Sequence, residues 1–321
     1  MVQSVQVPAP AHAPDQARHP QWAFFEGEIV PIEGAKISIM TQVINYGLGA
    51  FGGLRGYWND EKQQLYVFRV EKHFGRFLNS CKLFNTSIPY SIDDLKRITI
   101  DLLRREGYRE DAYIRPLLYN STEDITPRLY DVTFDFACFT RALGNYIKLE
   151  VKACTSSWRR LDDNIIPSRG KITGGYVNSA LARSEAYWNG YDESIVLNQD
   201  GHIAEGSAEN LFVVRDGKLH TPAFADNILE GITRSTVIQL ARAELGLEVV
   251  EREVDRSELY VAEEAFFCGT GAQVSAIVEV DNRKIGSGQT GPVTKSLQQA
   301  YFDVVRGKNT KYADWLTPVY D

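Results

Sequence analysis

Hydrophobic residues in the first half of the chain recur with two different periods, which predict short strands and amphipathic helices. Three runs of aromatic and β-branched residues between turn residues predict strands, at residues 24–30, 36–40 and 64–68. Residues 71–84 carry apolar side chains at helical spacing, with one stripe formed by Phe74, Phe77, Leu78 and Cys81. A second helix is predicted to begin at Ser91, with Asp94 completing its cap, and to end at Gly107.

Two longer apolar runs, at residues 112–119 and 132–139, predict buried strands, and the second alternates apolar with other residues. Residues 141–147 then interrupt the pattern with polar residues and a glycine. We place a domain boundary there. It divides the chain into a mobile N-terminal arm, a small α/β domain, an interdomain loop and a large domain, at residues 1–21, 22–140, 141–147 and 148–321.

The second half repeats the mixture of strands and helices. Strands are predicted at residues 148–156 and 265–268, and helices at 178–189, after Gly231 and from Pro292. Two Asp-Gly dipeptides, beginning at Asp200 and Asp216, lie between β-rich runs and predict hairpins. Strands and helices therefore alternate along the chain, which predicts an α/β protein with two domains.

Composition narrows the possible functions. The net charge of -7 and the absence of Lys/Arg-rich blocks argue against binding to nucleic acid or to an anionic membrane surface, and no apolar run is long enough to span a bilayer. The residues before position 22 lack the pattern of a secretory signal. Four widely separated cysteines form neither a disulfide framework nor a metal site. We expect a cytoplasmic protein with small-molecule partners and copies of itself.

The most informative chemistry is a lysine among small residues. Residues 167–176 read Pro-Ser-Arg-Gly-Lys-Ile-Thr-Gly-Gly-Tyr, which places Lys171 beside glycines and five residues before Tyr176. Glycines leave room for a molecule bound covalently to the lysine nitrogen, and a nearby hydroxyl or acid can tune what the lysine holds. The segment Ala-Glu-Gly-Ser-Ala-Glu-Asn-Leu-Phe, at residues 204–212, supplies such an acid in Glu205. The glycine-led helix after Gly231 can receive a phosphate.

These motifs, in this order, resemble the class IV aminotransferases, which are pyridoxal 5′-phosphate enzymes of fold type IV. The pattern is closest to the branched-chain amino acid aminotransferases, and the resemblance extends from about Phe24 onward. It implies a smaller N-terminal α/β domain, a larger β-barrel-like α/β domain that binds the cofactor, and a homodimer with possible higher assembly. It also implies ping-pong transamination between branched-chain L-amino acids and 2-oxoglutarate.

Carried over residue by residue, the resemblance makes Lys171 the Schiff-base lysine and the base that moves the proton between substrate Cα and cofactor C4′. It makes Tyr176 a donor to the ring oxygen and Glu205 the partner of the pyridine nitrogen. The other implied cofactor-binding residues are Arg76, Leu229, Gly231, Ile232, Thr233 and Thr270, mostly around the phosphate. The implied substrate-binding residues are Tyr46 from the partner subunit, Phe51, Tyr113, Arg115, Tyr146, Gly271 and Ala272. No metal is implied.

Two positions depart from the family pattern. Branched-chain enzymes usually read Phe-Glu-Gly-Ile-Arg where residues 51–55 read Phe-Gly-Gly-Leu-Arg, so Gly52 removes an acidic side chain. Leu143 stands where the bacterial pattern has a tryptophan. Both changes remove bulk or charge, and they leave open a broader enzyme that acts on (R)-primary amines or D-amino acids.

Three other functions are compatible with parts of the sequence. Residues 47–52 match the dinucleotide fingerprint G-x-G-x-x-G, but the following residues read as a strand where a helix is required, which disfavours a nicotinamide or flavin oxidoreductase. A non-catalytic pyridoxal-phosphate carrier would show no turnover with any amino donor. A lyase of the same fold, such as aminodeoxychorismate lyase, is disfavoured because the resemblance runs through the whole second domain.

Overall fold

A computed structural model describes residues 19–144 and 148–321. Its strands are β1 (Trp22–Phe25), β2 (Glu28–Pro31), β3 (Gly49–Phe51), β4 (Leu54–Asn59), β5 (Gln64–Phe68), β6 (Ala112–Asn120), β7 (Phe134–Ala142), β8 (Glu150–Arg159), β9 (Glu193–Leu197), β10 (Ile203–Gly206), β11 (Asn210–Arg215), β12 (Lys218–Thr221), β13 (Val249–Glu251), β14 (Glu264–Gly269), β15 (Gln273–Val280), β16 (Arg283–Lys284) and β17 (Leu316–Pro318).

The α-helices are α1 (Gln42–Tyr46), α2 (Val70–Leu83), α3 (Ile92–Glu106), α4 (Tyr176–Trp188), α5 (Ile232–Leu245) and α6 (Pro292–Val305). Short 3₁₀ helices cover Ile32–Gly34, Thr173–Gly175, Phe224–Asp226, Arg256–Val261 and Thr310–Trp315. None of the described helices is long and apolar enough to cross a membrane.

The strands form two sheets. The first has the order β17-β5-β4-β6-β7-β1-β2, with β3 paired to β6, and its neighbours run antiparallel. The second has the order β10-β9-β8-β15-β14-β11-β12-β13, with β16 paired to β15. In this sheet β8 runs parallel to both of its neighbours. The α/β class predicted from the sequence is confirmed.

The predicted domain boundary falls between the two sheets along the chain. The last strand of the first part, β7, ends at Ala142, and the next strand, β8, begins at Glu150 in the second sheet. The strand β17, however, returns to the first sheet, where it pairs with β5. The division into two domains stays a prediction.

One face of the first sheet is the core face. The helices α2 and α3 pack there, with Phe74, Phe77, Leu95 and Leu102 against buried strand residues such as Leu118 and Phe136. Both helices have the predicted amphipathic stripe. In α3, the Ser91 hydroxyl accepts from the Asp94 amide while the Asp94 carboxylate accepts from the Ser91 amide, and Gly107 ends the helix with φ 69°.

The opposite face of the first sheet is shaped by β6 and β7. Successive side chains along a strand point to opposite faces, so Tyr113, Arg115 and Leu117 of β6 lie away from the helices. Phe139 and Arg141 of β7 do the same, and the register pairs Tyr113 with Arg141 and Arg115 with Phe139. This grid of side chains forms one wall of the cavity described below.

Two predicted strands were wrong. Residues 24–30 are two strands, β1 and β2, joined by a turn in which Glu26 and Gly27 both have positive φ, at 51° and 88°. Residues 36–40 form irregular chain and a turn. In that segment Ile39 and Met40 are exposed, and no described strand pairs with it.

Local turn signals were more reliable. Asp216 and Gly217 form the two-residue turn between β11 and β12, with φ of 51° and 69°. The Asp200 dipeptide lies in the longer connection between the antiparallel strands β9 and β10. The residues of the dinucleotide-like pattern lead into β3 and then β4, so the helix that such a site requires is absent from this described segment.

Candidate active site

A cavity of about 680 Å³ is lined by residues of both sheets. The two sides meet where the Phe51 amide donates to the Lys171 carbonyl at 2.9 Å. The cavity brings together most of the residues singled out from the sequence, namely Phe51, Arg76, Tyr113, Arg115, Lys171, Tyr176, Glu205, Leu229, Gly231, Ile232, Thr233, Thr270 and Gly271.

Three predicted site residues lie elsewhere. Ala272 is buried next to the lining residue Gly271 but does not itself line the cavity. Tyr46 is 38% exposed, outside the cavity of its own chain, and its hydroxyl donates to the Ile125 carbonyl. Tyr146 lies outside the described residues.

Lys171 is held by its backbone and has an altered side-chain acidity. Its amide donates to the Ser80 hydroxyl at 3.3 Å, and its Nζ donates to the Tyr176 hydroxyl at 2.5 Å. Burial, followed by the neighbouring Arg76 guanidinium, lowers the pKa of Lys171 to about 7, although Glu205 opposes the change. A large fraction of Lys171 is therefore an uncharged, nucleophilic amine at neutral pH.

Tyr176 stands at the start of α4, following a short 3₁₀ turn, so its hydroxyl is fixed beside Lys171. Its ring packs against Phe51, with ring centroids 4.6 Å apart. Burial, and then the Glu205 charge, raises the pKa of Tyr176 well above its ordinary value. The phenol therefore keeps its proton at neutral pH and can donate it to an acceptor in the cavity.

Glu205 lies on β10 at an irregularity in the pairing with β9. Its carboxylate accepts from the Asn210 amide at 2.9 Å and the Leu229 backbone amide at 3.1 Å, and it pairs with Arg160 at 2.7 Å. Burial raises the pKa of Glu205, while Arg160 is the largest opposing influence. The arrangement fixes a buried acidic group against the cavity.

Arg76 and the start of α5 form a candidate anion site in the cavity. Arg76, one helical turn after the buried His73 on α2, donates to the Glu230 carbonyl at 3.0 Å. The helix α5 begins at Ile232, and the first amides of a helix have no partner within it. A Cβ at Gly231 would lie 2.0 Å from the Asn210 side-chain oxygen, so this entry needs glycine. A guanidinium and a helix N-terminus together suit a phosphate.

Three charged residues in or next to the cavity, Arg160, Arg183 and Glu209, are not among the site residues predicted from the sequence. Arg160 has no local signal, because it meets Glu205 only in the folded chain. Arg183 of α4 lies 3.2 Å from Glu193 and 4.0 Å from Glu209, which lines the cavity. Burial, and then the Glu193 charge, raises the pKa of Glu209. Glu209 is part of the 204–212 segment, so its position there could have identified it.

Gly52 does not open the cavity. An ideal Cβ at this position would lie 2.5 Å from Cγ of Pro116, and Gly52 is not among the lining residues. The Gly52 amide also donates to the Pro116 carbonyl at 2.8 Å. In this chain the space beside Gly52 is filled by the proline ring.

Leu143, the second departure, does line the cavity. Its position is fixed by Arg55, which is fully buried and donates to the carbonyls of Leu143 and Gly144 at 3.0 and 2.7 Å. The Leu143 amide donates to the Asp111 carbonyl at 2.8 Å, and the Asp111 carboxylate also pairs with Arg306. These contacts fix the residues that directly follow β7 against the cavity.

One surface cluster has metal-type ligands. Ligand atoms of Asp200, His202 and Glu253 lie within 4.8 Å of one another. The Asp200 carboxylate, 3.2 Å from the imidazole, and the other surrounding carboxylates raise the pKa of His202. Ion pairing of a protonated imidazole accounts for this cluster without a metal.

Comparison with known proteins agrees with this geometry. The model of the family "Amino-transferase class IV" matches residues 49–280. A probable branched-chain-amino-acid aminotransferase of Aquifex aeolicus is 51% identical over 302 residues, 94% of this chain and 97% of that protein. The branched-chain-amino-acid aminotransferase of Pseudomonas aeruginosa is 41% identical over 92% of this chain and 96% of that protein.

Solved structures give the same result. The branched-chain aminotransferase of Thermoproteus uzoniensis, crystallised with norvaline, has a TM-score of 0.90 and 42% identity, and the match covers 94% of this chain and all of that one. The branched-chain amino acid aminotransferase of Thermobaculum terrenum in its PLP form has a TM-score of 0.89 and 39% identity, over 94% and 99% of the two chains.

Proposed function

Because the chain belongs to the class IV aminotransferases, we propose that its cavity transfers amino groups from branched-chain L-amino acids to 2-oxoglutarate, with pyridoxal 5′-phosphate as cofactor. The observation that carries this proposal is Lys171, a buried amine whose pKa is lowered to about 7 and whose Nζ contacts Tyr176 in a cavity shared with Glu205. No other described lysine lines this cavity.

The residues present fit the cofactor. Lys171 is a nucleophile for an aldehyde, Glu205 is a buried acid for a ring nitrogen, and Arg76 with the start of α5 suits a phosphate. When bound, pyridoxal phosphate supplies an aldehyde that takes up the amino group and a protonated ring that withdraws electrons from the substrate Cα. Arg76, Ile232, Thr233 and Thr270 would hold the phosphate, flanked by Leu229 and Gly231.

Three side chains, Lys171, Glu205 and Tyr176, have separate roles in the proposed reaction. Lys171 would hold the cofactor in the resting enzyme, and its amine, once freed by the amino donor, would take the proton from the donor Cα. Glu205, held by Arg160 and Asn210, would keep the ring nitrogen protonated. Tyr176 would donate a hydrogen bond to the ring oxygen. The two substrates use the cavity in turn, so the amino group stays in the enzyme between them.

The walls of the cavity suit branched aliphatic side chains. Leu117, Phe139 and Leu143 line it beside Phe51. The substrate carboxylate would be bound by Tyr113 and by the turn at Thr270 and Gly271, which line the cavity, with the buried Ala272 completing the turn. Apolar surface favours a leucine, valine or isoleucine side chain, but a single methylene changes the binding free energy by only about 1–3 kcal/mol. The ranking of these donors is therefore left to measurement.

The enzyme is a homodimer in this proposal. Tyr46 lies on an exposed apolar surface formed with Ile39, Met40, Ile44 and Ile125, of which Ile39 and Ile125 are each 83% exposed. Exposed apolar side chains grouped together are typical of a protein interface. In this proposed dimer Tyr46 would reach the cavity of the partner subunit. Light scattering should give about twice 36.2 kDa.

A cytoplasmic location is part of the same proposal. All four cysteines, Cys81, Cys138, Cys154 and Cys268, are buried and free of disulfides. Free buried thiols are typical of a reducing compartment.

The test is the visible absorption of the purified protein with bound cofactor. Addition of L-leucine without any oxo acid should bleach the yellow band, and 2-oxoglutarate should restore it. Lys171→Ala should abolish turnover while the melting temperature shows an intact fold. A band unchanged by L-leucine, L-valine and L-isoleucine would contradict the substrate and direct the search to (R)-amines and D-amino acids.

A further inference from the structure

The candidate anion site is divided between two parts of the fold. Arg76 lies on α2, whose apolar residues Phe74 and Phe77 pack in the core on the first sheet. The amides that complete the site lie at the start of α5, whose Val237 and Leu240 pack in a different core cluster with strands of the second sheet. A site built from two such elements needs their relative position fixed within about 0.5 Å.

Two arginines connect α2 with α5. The Arg76 guanidinium donates to the carbonyl of Glu230, which lies just before α5, at 3.0 Å. Arg69, which directly precedes α2, donates to the side-chain oxygen of Gln239 on α5 at 2.8 Å. Arg69 and Arg76 are separated by about two helical turns, or about 10 Å along the axis of α2. The two helices are therefore connected at two separate points.

Arg69 combines an unfavourable backbone conformation with a buried charge. Its φ of 47° lies in the left-handed region, where a residue with a Cβ is disfavoured relative to glycine. Its amide donates to the Trp315 carbonyl at 2.7 Å, and its Cζ lies 3.5 Å from the centroid of the Trp315 ring. Only 6% of Arg69 is exposed. An arginine kept at such a position points to a specific role for its side chain.

We propose that Arg69 is a positioning residue for the phosphate of the cofactor. Its contact with Gln239 fixes α5 relative to α2 and thereby sets the distance between Arg76 and the first amides of α5. This inference rests on the proposed function. Arg69 does not line the cavity, so it acts through Arg76 and α5 and does not touch the phosphate. Stacking on Trp315 restricts the guanidinium and keeps its donor directed at Gln239.

The test compares two ligands that differ in the phosphate. Pyridoxal phosphate and pyridoxal are titrated into the cofactor-free full-length protein, and the visible band is read against Lys171→Ala, which corrects for reaction at other lysines. Arg69→Met keeps an unbranched side chain over Trp315 but removes the donors. In this variant the Kd of pyridoxal phosphate should rise by about 10-fold, a typical coupling within one hydrogen-bond network. The Kd of pyridoxal should change little.

Variants of the partner residue keep the test independent of the folding of Arg69→Met. Gln239→Leu, at an exposed position of α5, removes the acceptor and should weaken binding of pyridoxal phosphate to the same extent. The double variant should show no further loss, because both changes remove one contact. Gln239→Glu keeps an acceptor oxygen and should stay close to wild type.

Lys72→Met, which removes an exposed cation from α2, is the matched control and should bind both ligands as wild type does. A merely structural role of Arg69 would weaken both ligands equally. That result, or unchanged binding of pyridoxal phosphate in Gln239→Leu, would overturn the positioning role. A wild-type protein that binds neither ligand would instead overturn the proposed function.

Discussion

The guanidinium of Arg160 lies 2.7 Å from the carboxylate of Glu205, with only 14% and 4% of the two side chains exposed. Burial alone would favour a neutral Glu205, and Arg160 is the largest influence in the opposite direction. The charge on the acid at the cavity therefore depends on a residue that does not contact the proposed reacting atoms.

Replacement of Arg160 tests this dependence. In Arg160→Gln the pKa of Glu205 should rise further, and the acid should hold a proton at the ring nitrogen less well. We expect removal of the donor Cα proton to slow by about 10- to 100-fold in stopped-flow measurements with L-leucine. Arg159→Gln, which alters the exposed neighbour, should react at the wild-type rate. Equal rates for all three proteins would contradict a role for Arg160.

The lowered pKa of Lys171 should reduce the free energy of unfolding of the cofactor-free protein at neutral pH. An unfolded lysine titrates near 10.4, whereas Lys171 in the folded protein titrates at about 7, so folding at neutral pH expels a proton. The free energy of unfolding should therefore rise as the pH increases from 7 to 10. Lys171→Met removes the penalty and should stabilise the cofactor-free protein by up to about 4 kcal/mol at pH 7.

Urea unfolding at pH 7 and pH 9.5 measures this difference. The advantage of Lys171→Met should shrink at the higher pH, where the unfolded lysine also begins to lose its proton. Lys308→Met, at an exposed position, should show no such trend. A stability difference independent of pH would refute the expected proton release.

Gly291 is required by a close approach in front of α6. A Cβ at this position would lie 2.1 Å from the carboxyl carbon of Glu264, which accepts from the amides of Val293 and Thr294 at 2.9 and 2.7 Å. Gly291→Ala should displace this cap and lower the free energy of unfolding by about 2–4 kcal/mol.

A helix glycine with free space around it provides the contrast. Gly75 in α2 has nothing within 4 Å of an ideal Cβ, so Gly75→Ala should stabilise the protein by about 0.5–1 kcal/mol. Calorimetry would measure both variants. If Gly291→Ala were as stable as wild type, Glu264 would not be the essential cap.

Arg55 acts as a positioning residue for the cavity wall. One nitrogen of its guanidinium donates to the carbonyls of both Leu143 and Gly144, and a lysine side chain is one bond too short to place its ammonium nitrogen at that point. Arg55→Lys should loosen the segment and raise KM for amino donor and oxo acid several-fold, while the absorbance of bound cofactor is retained. Arg105→Lys, at an exposed arginine over Trp22, is the control. An unchanged KM would contradict the proposed positioning.

The features found from the sequence are those encoded locally. The cap of Ser91 and Asp94, the stop at Gly107 and the turn at Asp216 each depend on a few adjacent residues, and each was confirmed. The strand over 24–30 was wrong because Glu26 and Gly27 adopt a positive-φ turn without one of the strongest hairpin dipeptides.

Other features depend on contacts that no local pattern encodes. The predicted strand at 36–40 was wrong because none of the described strands pairs with its strand-forming residues. Arg55 and Arg160 support lining residues of the cavity through contacts with segments distant in the sequence, Arg55 at Leu143 and Arg160 at Glu205. The sequence around Lys171 predicts the cofactor. The charged residues that shift the pKa of Lys171, Arg76 and Glu205, are distant in the sequence and come close to it only in the folded chain.

Because β17 pairs with β5, the first sheet can be completed only after nearly the whole chain has been synthesised. Residues 316–318 complete the edge of a sheet whose other strands lie before residue 143. The ribosome must therefore synthesise every strand of the second sheet before β17 can complete the first sheet. Until then, one edge of β5 in the newly made N-terminal half has no partner strand. We expect this half to be the part of the nascent protein that needs chaperone protection longest.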